Sequence, residues 1–424
     1  MDDQSGIQTP ATTTLAKAPR RAAVGFIFAA AVMDILALGI IIPVLPQLVR
    51  QFAHGDTASA AHYVGWFGFI FGLMQFICSP IIGSLSDRFG RRPVLLVSIF
   101  GLGFDYLLMG FAPTIGWLFL GRVISGITAA SFSTASAYIA DITPPEKRAK
   151  SFGLIGAAFG VGFTIGPALG GFLGHYDLRL PFWVAAGLAL INGLYGLFLL
   201  PESLPKERRA KFNLAKANPA GSFELLRSHP QLLGLGSVLF LYYLAHQVLQ
   251  STFVLYTAER YHWGPQMMGF NLMGVGVSNI LVQTFLVGPF VGRFGERGAL
   301  YTGLTAGAIG FLIYATATTS LQFWCGLPVF ALMGLVQPGY QGLMTRRVAP
   351  NEQGRLQGAN SGLMAIAGIV GPVMFTSVFA WSIHASGFVF GEGTAVYLAS
   401  AVLILGLVVA IGVTREGSGA VAKA

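Results

Sequence analysis

Long apolar runs follow one another along almost the whole chain, and they limit most strongly what the chain can fold into. A membrane-spanning helix needs about 20 mostly apolar residues. Only 10% of the 424 residues are charged, whereas soluble domains carry roughly 25%. A soluble fold cannot bury this much apolar surface, so we predict an all-α integral membrane protein with about twelve spans. The predicted spans are roughly 23–45, 62–84, 93–112, 116–140, 152–174, 181–200, 232–257, 266–290, 299–317, 322–345, 357–381 and 394–414.

Polar segments divide the predicted spans into two groups of six. The first apolar run carries Asp34 and has no obvious small-residue cleavage site, so we predict a retained helix rather than a secretory signal. The predicted units are a disordered cytoplasmic N-terminus at 1–21, an N-terminal six-helix bundle at 22–200, a cytoplasmic linker at 201–230, a C-terminal six-helix bundle at 231–414 and a cytoplasmic tail at 415–424.

Basic residues concentrate on one side of this predicted topology. With both termini in the cytoplasm, most of the 26 Lys and Arg residues lie in cytoplasmic segments, which is the positive-inside pattern. Basic loops beside anionic lipid headgroups account for the net charge of +9 without a nucleic acid partner. We therefore predict a multi-pass protein of the cell inner membrane. Cys78 and Cys325 lie in apolar runs and indicate neither a disulfide nor a metal site, and no cofactor is expected.

The two halves of the sequence repeat each other in parallel. The segment GSLSDRFGRRP at 83–93 matches GPFVGRFGERG at 288–298, and the Gly-Pro pairs at 166–167 and 371–372 are separated by the same number of residues. Several matches at one offset indicate duplicated six-helix halves related by an axis along the membrane normal. This architecture is typical of transporters.

The loop motif at 83–93 predicts a mechanical role. Gly83 and Gly90 would permit close approach and a tight turn, and Asp87 could pair with an arginine or cap a helix end. We predict that the basic residues hold the cytoplasmic faces of the two halves together until the carrier opens inward. Simple retention of basic residues in the cytoplasm is the alternative. The predicted gate residues are Gly83, Asp87, Arg88, Gly90, Arg91, Arg92 and Asp141, the last at the inner end of the fourth span.

Three charged residues lie well inside the predicted spans, all in the N-terminal half. An aspartate in mid-span costs about 2.5–3.5 kcal/mol, and desolvation favours its neutral, protonated form. We predict that Asp105 carries a proton, that Asp34 is a second carrier or a cargo contact, and that Arg122 is a permanently charged partner. A static buried ion pair between Arg122 and either aspartate is the alternative. His246 is a further candidate for protonation, although a lone histidine on an apolar helix more often only packs.

Several segments resemble signatures of the major facilitator superfamily. GSLSDRFGRRP resembles its loop between helices 2 and 3, LGRVISGI at 120–127 the helix-4 signature of the proton-antiporter branch, and the run at 152–174 the helix-5 signature. Together with IIPVLPQL, DYLLMGF and YIADITPPEKRAKSFG, they make the chain most similar to the tetracycline/proton antiporters. The resemblance implies two six-helix bundles in pseudo-twofold symmetry and proton-coupled drug efflux by alternating access. Such an architecture would be complete as a monomer.

Glycines crowd the predicted fifth span. Small residues let helices pack closely and sometimes bend, so the run predicts a helix-packing seam. A role in blocking ion leak is implied by the resemblance alone. The run is not a dinucleotide-binding loop, because no strand precedes it and its glycine spacing differs. The residues of this antiporter helix are Gly162, Gly166, Pro167 and Gly170.

Uncharged polar residues of the C-terminal half form the candidate cargo site. Amides among the chain's 34 Phe and 11 Met suit a flat, amphipathic small molecule, held near the midplane between the halves. Most of the Phe side chains are expected to face lipid or to pack between helices. The resemblance ranks Gln283 and Gln341 first, because both match positions in the tetracycline antiporters. The predicted substrate-binding residues are Gln283, Gln341, Asn279, Gln247 and Gln337.

Two departures from the antiporter pattern bear on the cargo. The predicted ninth span has no acidic residue, and Asn279 stands where these antiporters have a histidine. Tetracycline is therefore one candidate beside other amphipathic compounds. Proton-coupled import of a nutrient is the alternative function, and a membrane sensor or scaffold is a third. An enzyme is not expected, since the sequence has no nucleophile–base constellation and no metal-binding spacing.

Overall fold

Helices make up most of the described part of the chain. The computed structural model describes residues 20–129, 131–143, 148–209, 230–348, 352–385 and 391–421. The regular elements of these ranges are helices, with no strand among them, and the all-α prediction is confirmed. Most of the predicted disordered N-terminus and the stretch 210–229 of the predicted linker lie outside them.

Eight helices form the described part of the N-terminal half. A proline lacks a backbone N–H and disfavours a helical residue before it, and Pro43 and Pro46 accordingly separate a long helix from a short one in the first span. Asp56 caps the next helix by accepting from the main chain of Ala58 and Ser59, and hydrogen bonds from Ser59 hold the pKa of the Asp56 carboxyl below its usual value. The helices are α1 (Arg20–Ile41), α2 (Leu45–Phe52), α3 (Thr57–Phe89), α4 (Arg91–Gly110), α5 (Ile115–Ala129), α6 (Ser131–Ile142), α7 (Arg148–Tyr176) and α8 (Leu180–Leu199).

Eight helices also form the described C-terminal half. A π-helical turn (Val282–Leu286) joins the third and fourth of them, and a 3₁₀ turn (Leu332–Leu335) joins the fifth and sixth. The helices are α9 (Pro230–Ser251), α10 (Phe253–Tyr261), α11 (Pro265–Leu281), α12 (Val287–Thr316), α13 (Ser320–Ala331), α14 (Val336–Thr345), α15 (Gln353–His384) and α16 (Thr394–Val421).

One apolar stretch crosses the membrane twice. Eleven segments of the described chain are long and apolar enough to span a bilayer, and one of them, Pro265–Thr316, has 52 residues. At 1.5 Å per residue it would extend about 78 Å, more than twice the hydrocarbon thickness. It reverses at Gly295, whose φ of 69° lies in the left-handed region that favours glycine. Gly90, with φ of 107°, reverses the chain at the matching position of the first half. Twelve spans result, and the predicted fold is confirmed.

The two halves touch along two seams that the internal repeat relates to each other. Helix α3 packs on α15, and α11 packs on α7. Glycines allow this approach, because a Cβ on Gly68 would lie 2.6 Å from the Pro372 Cβ and one on Gly269 would lie 2.5 Å from the Pro167 carbonyl oxygen. Close backbone packing therefore joins the halves.

Polar contacts join the halves at the end opposite to the chain termini. Thr57 donates its hydroxyl to Glu259 Oε2 at 2.6 Å, and Arg50 Nη2 lies 3.4 Å from the same oxygen. Gln47 donates to the Met268 sulfur at 3.1 Å. These contacts close this end of the molecule. Beside them is a cavity of about 240 Å³, lined by Gln47, Arg50, Gln51, Gly55, Leu178, Ala258 and Trp263.

Towards the chain termini, the halves separate. A Cβ on Gly171 of α7 would lie 2.9 Å from the Gly269 Cα, whereas one on Gly160 would meet its nearest neighbour, Ile280, only at 3.7 Å. A Cβ on Gly156, one turn further on, would have no neighbour within 4 Å. Among the described residues, the halves therefore contact each other at one end and are separated at the end that carries the termini.

Candidate functional site

Asp105 is the most deeply buried ionisable acid among the described residues of the N-terminal half. Only 1% of its surface is exposed. Ser125 of α5 donates its hydroxyl to Asp105 Oδ2, while Oδ1 is buried without a hydrogen-bond partner. Gly121 permits this approach of α4 and α5, because a Cβ there would lie 3.0 Å from Asp105 Oδ1 and 2.9 Å from the Met109 sulfur. A buried carboxyl with one unpaired oxygen can exchange a proton as its surroundings change.

Arg122 reaches Asp105 only through a hydroxyl. Its Nη2 donates to Ser125 Oγ at 2.9 Å and to the Met109 sulfur at 3.3 Å, and its guanidinium carbon lies 5.8 Å from the centre of the Phe71 ring. In the described contact between α4 and α5, Arg122 and Asp105 form no direct ion pair. The structure thus brings these two predicted residues together, but with Ser125 between them rather than as the static ion pair considered above.

Asp34 occupies a separate site. Asn192 of α8 donates its amide to Asp34 Oδ1 at 2.8 Å and to the Ala30 carbonyl at 3.1 Å. Asn192 is fully buried, and its own Oδ1 has no partner. Asn192 is not among the residues predicted for the site. The signal that could have found it is a lone amide in the apolar sixth span.

The loop motif forms a network within its own half. Arg91 Nη1 lies 2.5 Å from Asp87 Oδ1, and its Nε lies 3.3 Å from Asp141 Oδ2. The Arg91 main-chain N–H donates to Glu202 Oε1 at 2.9 Å, and Arg92 Nη2 donates to a carbonyl oxygen of α8 at 2.6 Å. Glu202, which falls in the predicted linker, is therefore part of the network that holds the turn between α3 and α4.

The two glycines of the motif differ. Gly90 forms the tight turn, as its φ requires. Gly83 lies inside α3, and an added Cβ would have no neighbour within 4 Å, so the close approach predicted for Gly83 is absent in this conformation. The Arg88 guanidinium lies 5.0 Å from the centre of the Phe89 ring. The contacts that the structure gives for Arg88, Arg91 and Arg92 lie within the N-terminal half. The predicted contact of these arginines with the other half stays a prediction for the conformation that is closed at the end carrying the termini.

The C-terminal half carries an equivalent ion pair with reversed charges. Glu296 occupies the repeat position of Arg91, and Arg346 occupies that of Asp141. These two residues form an ion pair. Each half therefore has an ion pair of its own at the end that carries the termini, although the residue types are exchanged between the two positions.

Helix α7 packs through two faces. Gly162, Gly166 and Gly170 recur at every fourth position and face α1, where a Cβ on Gly166 would lie 2.8 Å from a Cα of that helix. On another face, the Pro167 carbonyl approaches Gly269 of α11 in the other half. One packing face of α7 thus lies within the N-terminal half and the other lies between the halves.

Three of the predicted cargo residues gather around the 3₁₀ turn before α14. Gln283 donates to the Gly334 carbonyl at 3.0 Å, and a Cβ on Gly334 would lie 3.3 Å from Asn279 Oδ1. Gln337, one turn beyond Gly334, donates to the Tyr243 hydroxyl at 3.3 Å. The side chains of Asn279, Gln283 and Gln337 are exposed, so their amides can reach a bound molecule.

The other two predicted cargo residues lie apart from this group. Gln247 is buried against Gly371 of α15, and Gln341 is half-buried, with its main-chain carbonyl accepting from Thr345. His246 packs beside a tyrosine ring one turn earlier, at 6.3 Å between ring centres. Cargo contact by Gln247 and Gln341 stays a prediction.

Comparison with known proteins decides the family. A family model described as Major Facilitator Superfamily matches residues 27–372. A class C tetracycline resistance protein of Escherichia coli is 40% identical over 370 residues, which cover 86% of this chain and 92% of the relative. The chain belongs to the major facilitator superfamily. A class G tetracycline resistance protein of Vibrio anguillarum is 36% identical over 86% of this chain and 93% of its own length. The resemblance seen in the loop, helix-4 and helix-5 segments is confirmed.

Solved structures share the fold of this major facilitator chain. A human organic anion transporter, MFSD10 (TETRAN), superposes with a TM-score of 0.68 at 24% identity and covers 93% of this chain and 100% of its own. A nucleoside transporter, NupG, gives a TM-score of 0.74 at 13% identity, over 93% of this chain and 99% of its own. Membership of the family makes the chain a bilayer-embedded transporter of small molecules rather than an enzyme.

Proposed function

We propose that this major facilitator transporter is an efflux antiporter of the cell inner membrane that exchanges protons for amphipathic organic compounds, tetracycline-like drugs among them. Relatives named as tetracycline resistance proteins support drug efflux by proton exchange. The observation that carries the coupling is Asp105, a buried acid with one unpaired oxygen beside a hydroxyl-linked arginine. Asp34, half-buried on α1 with its own amide partner, is the second acid. Both termini face the cytoplasm in this proposal, and one chain supplies both halves, so the unit is a monomer.

Alternating access follows from the two seams between the halves. The described conformation is open at the end that carries the termini, which faces the cytoplasm in this proposal. Cargo enters there, and rocking about the contacts of α3 with α15 and of α7 with α11 exposes it to the other side. A proton then binds Asp105 from the outside and returns the carrier. One proton moving through 100 mV releases about 2.3 kcal/mol.

The amide group around Gly334 is the proposed cargo contact. Asn279, Gln283 and Gln337 offer donors and acceptors without a formal charge, and such groups orient a flat molecule without fixing its ionic state. The absence of an acid in the ninth span and the asparagine at 279 remove groups suited to a metal-chelated drug. We therefore expect compounds that do not need Mg²⁺ to be accepted at least as well as tetracycline with Mg²⁺.

The deciding experiment uses inside-out membrane vesicles with a respiration-driven acidic lumen. A panel of amphipathic compounds, including tetracycline with and without Mg²⁺, is added while a fluorescent weak base reports the lumenal pH. A transported compound should discharge the proton gradient in native vesicles. Asp105→Asn should abolish this discharge because an amide cannot carry the proton, while the variant still accumulates in the membrane.

A matched variant tests whether loss of any one carboxylate, rather than of the proposed proton carrier, stops the discharge. Asp177 lies between α7 and α8, outside the spans, and its carboxylate accepts from the main chain of Arg179. Asp177→Asn should therefore leave the discharge unchanged. If no compound discharges the gradient, but right-side-out vesicles accumulate a nutrient together with protons, the chain is a symporter and the efflux proposal is wrong.

A further inference from the structure

Ser125 occupies an unusual place between the acid and the arginine. It lies one turn after Arg122 on α5, so both side chains leave the same face of that helix. Its hydroxyl donates to Asp105 Oδ2 and accepts from Arg122 Nη2, and 2% of the residue is exposed. The hydroxyl thus donates one hydrogen bond and accepts another, whereas Asp105 Oδ1 and Arg122 Nε are each buried without a partner.

We propose that Ser125 is the positioning residue of the proton site, linking Asp105 to Arg122 through its hydroxyl. This inference rests on the proposed role of Asp105 as proton carrier. A hydroxyl has one donor and two acceptor lone pairs. It can donate to the Asp105 carboxylate, or turn and accept from the Asp105 acid, while Arg122 continues to donate to it. The same side chain therefore serves both protonation states.

Direct pairing of Asp105 with Arg122 would work against exchange of a proton. In a low-dielectric interior, the attraction between opposite charges in contact is large, and the carboxylate would stay charged. With Ser125 between them, Arg122 stabilises the carboxylate through a polarised hydroxyl and leaves Oδ1 unpaired. The acid is thus linked to a cation through a hydroxyl that can turn as the acid gains or loses its proton.

The charged surroundings of this site are simple. Arg122 is the charged side chain that acts on Asp105, and Tyr106, also on α4, lies within electrostatic range of Asp105, Asp34 and Arg122. The helices packed on α4 are α3, α5, α6 and α8. Their other ionisable residues are His62, Tyr63, Cys78, Asp87 and Arg88 on α3, Tyr138 and Asp141 on α6, and Tyr195 on α8.

The test is a pH titration of the full chain in lipid nanodiscs, followed by infrared difference spectroscopy without any cargo. The carboxylic C=O band that is missing in Asp105→Asn reports the protonated form of Asp105. In Ser125→Ala, the carboxylate loses its hydrogen-bond donor, so the charged form is disfavoured. The midpoint of the band's titration should rise by about one pH unit, a tenfold change in proton dissociation. A midpoint that is unchanged or lower overturns the proposal.

Two variants control for packing. Ser125→Thr keeps the hydroxyl and should restore a midpoint near the native one. Thr128→Val removes a hydroxyl one turn along α5 that donates only to carbonyls of its own helix, and it should leave the midpoint unchanged. If Ser125→Ala does not accumulate, Ser125→Cys keeps the volume with a weaker donor. It should shift the midpoint in the same direction by a smaller amount, and a native midpoint there overturns the proposal.

The same data separate this inference from the proposed function. If the Asp105 band titrates but Ser125→Ala leaves it in place, Ser125 does not position the proton site, although Asp105 still carries protons. If native protein and Asp105→Asn give the same difference spectrum, Asp105 carries no exchangeable proton. The proton role of Asp105 then fails, and the role of Ser125 fails with it.

Discussion

At the residue scale, each of the two acids in the spans of the N-terminal half, the buried Asp105 and the half-buried Asp34, has one neutral partner from another helix. Asp105 has the hydroxyl of Ser125, and Asp34 has the amide of Asn192. Neutral partners stabilise a carboxylate without cancelling its charge. Both acids are therefore ordered while they remain able to change protonation, which suits a carrier better than a permanent ion pair.

Replacing Asn192 should destabilise the protein. In Asn192→Ala, the Asp34 carboxyl and the Ala30 carbonyl lose their amide donor within a buried contact. We expect a loss of about 1–3 kcal/mol in the free energy of unfolding, measured by thermal unfolding of the purified protein in detergent. Asn279→Ala removes an exposed amide and should change the unfolding temperature little. Equal losses in the two variants would contradict this account of Asn192.

At the scale of single elements, α7 illustrates how one helix serves two neighbours. Its glycines at 162, 166 and 170 allow α1 to approach, and its face at Pro167 and Gly171 contacts α11 of the other half. The contact with α1 stays within one bundle, and the contact with α11 crosses between bundles. A change on α7 can thus affect either the stability of one half or the motion between halves, according to the face that it alters.

The face of α7 towards α1 provides a matched pair of variants. A Cβ on Gly170 would overlap the Ile40 carbonyl, so Gly170→Ala should cost about 1–3 kcal/mol through overpacking. Gly156→Ala, on the same helix, places its Cβ where no neighbour lies within 4 Å and should be neutral or slightly stabilising. Thermal unfolding of both variants measures the difference. An unfolding temperature for Gly170→Ala at or above that of Gly156→Ala would show that the seam relaxes freely.

At the scale of the whole molecule, Glu259 joins the halves at the closed end. It accepts from Thr57 and lies beside Arg50, so the carboxylate of one side chain in the C-terminal half contacts two residues of the N-terminal half. Both charged side chains are about one-third exposed, so the pair is partly screened by water. A contact of this modest strength favours one conformation without preventing the other.

Glu259→Gln should shift the molecule towards opening at this end. Weakening a partly exposed ion pair by up to about 1 kcal/mol changes the ratio of the two conformations by about two- to fivefold. Spin labels at positions 176 and 262, in a background without the two native cysteines, report the distance between halves by pulsed electron resonance. Glu392→Gln, which removes a carboxylate at the same end of the C-terminal half, is the control. A distance distribution identical to the native one would exclude Glu259 as part of the closure.

The sequence predicted the fold well because a bilayer imposes strong constraints on composition. Apolar length located the twelve spans, and the repeat located the two halves. Asp34, Asp105 and Arg122 stood out because a charge in an apolar run is costly. Asn192 and Ser125 did not, because small uncharged polar residues are common in helices and their importance depends on which helix faces them.

Contacts between distant segments were the least predictable. Glu259 meets Arg50 and Thr57 across the two halves, and neither sequence neighbourhood contains a motif that pairs them. The pattern also could not distinguish Gly83, which lies in a regular helix, from Gly90, whose positive φ needs a glycine. Both features depend on how distant helices pack against each other in the folded protein. The local pattern of a single sequence does not show that packing.

The reversal at Gly295 has a consequence for how the chain enters the membrane during synthesis. Pro265–Thr316 leaves the ribosome as 52 residues of nearly continuous apolar helix, marked in the middle by Arg293, Glu296 and Arg297. Basic residues that resist translocation oblige such a segment to insert as a hairpin. The three spans that follow inherit their orientation from this hairpin, so the topology of a quarter of the protein depends on two arginines in one turn.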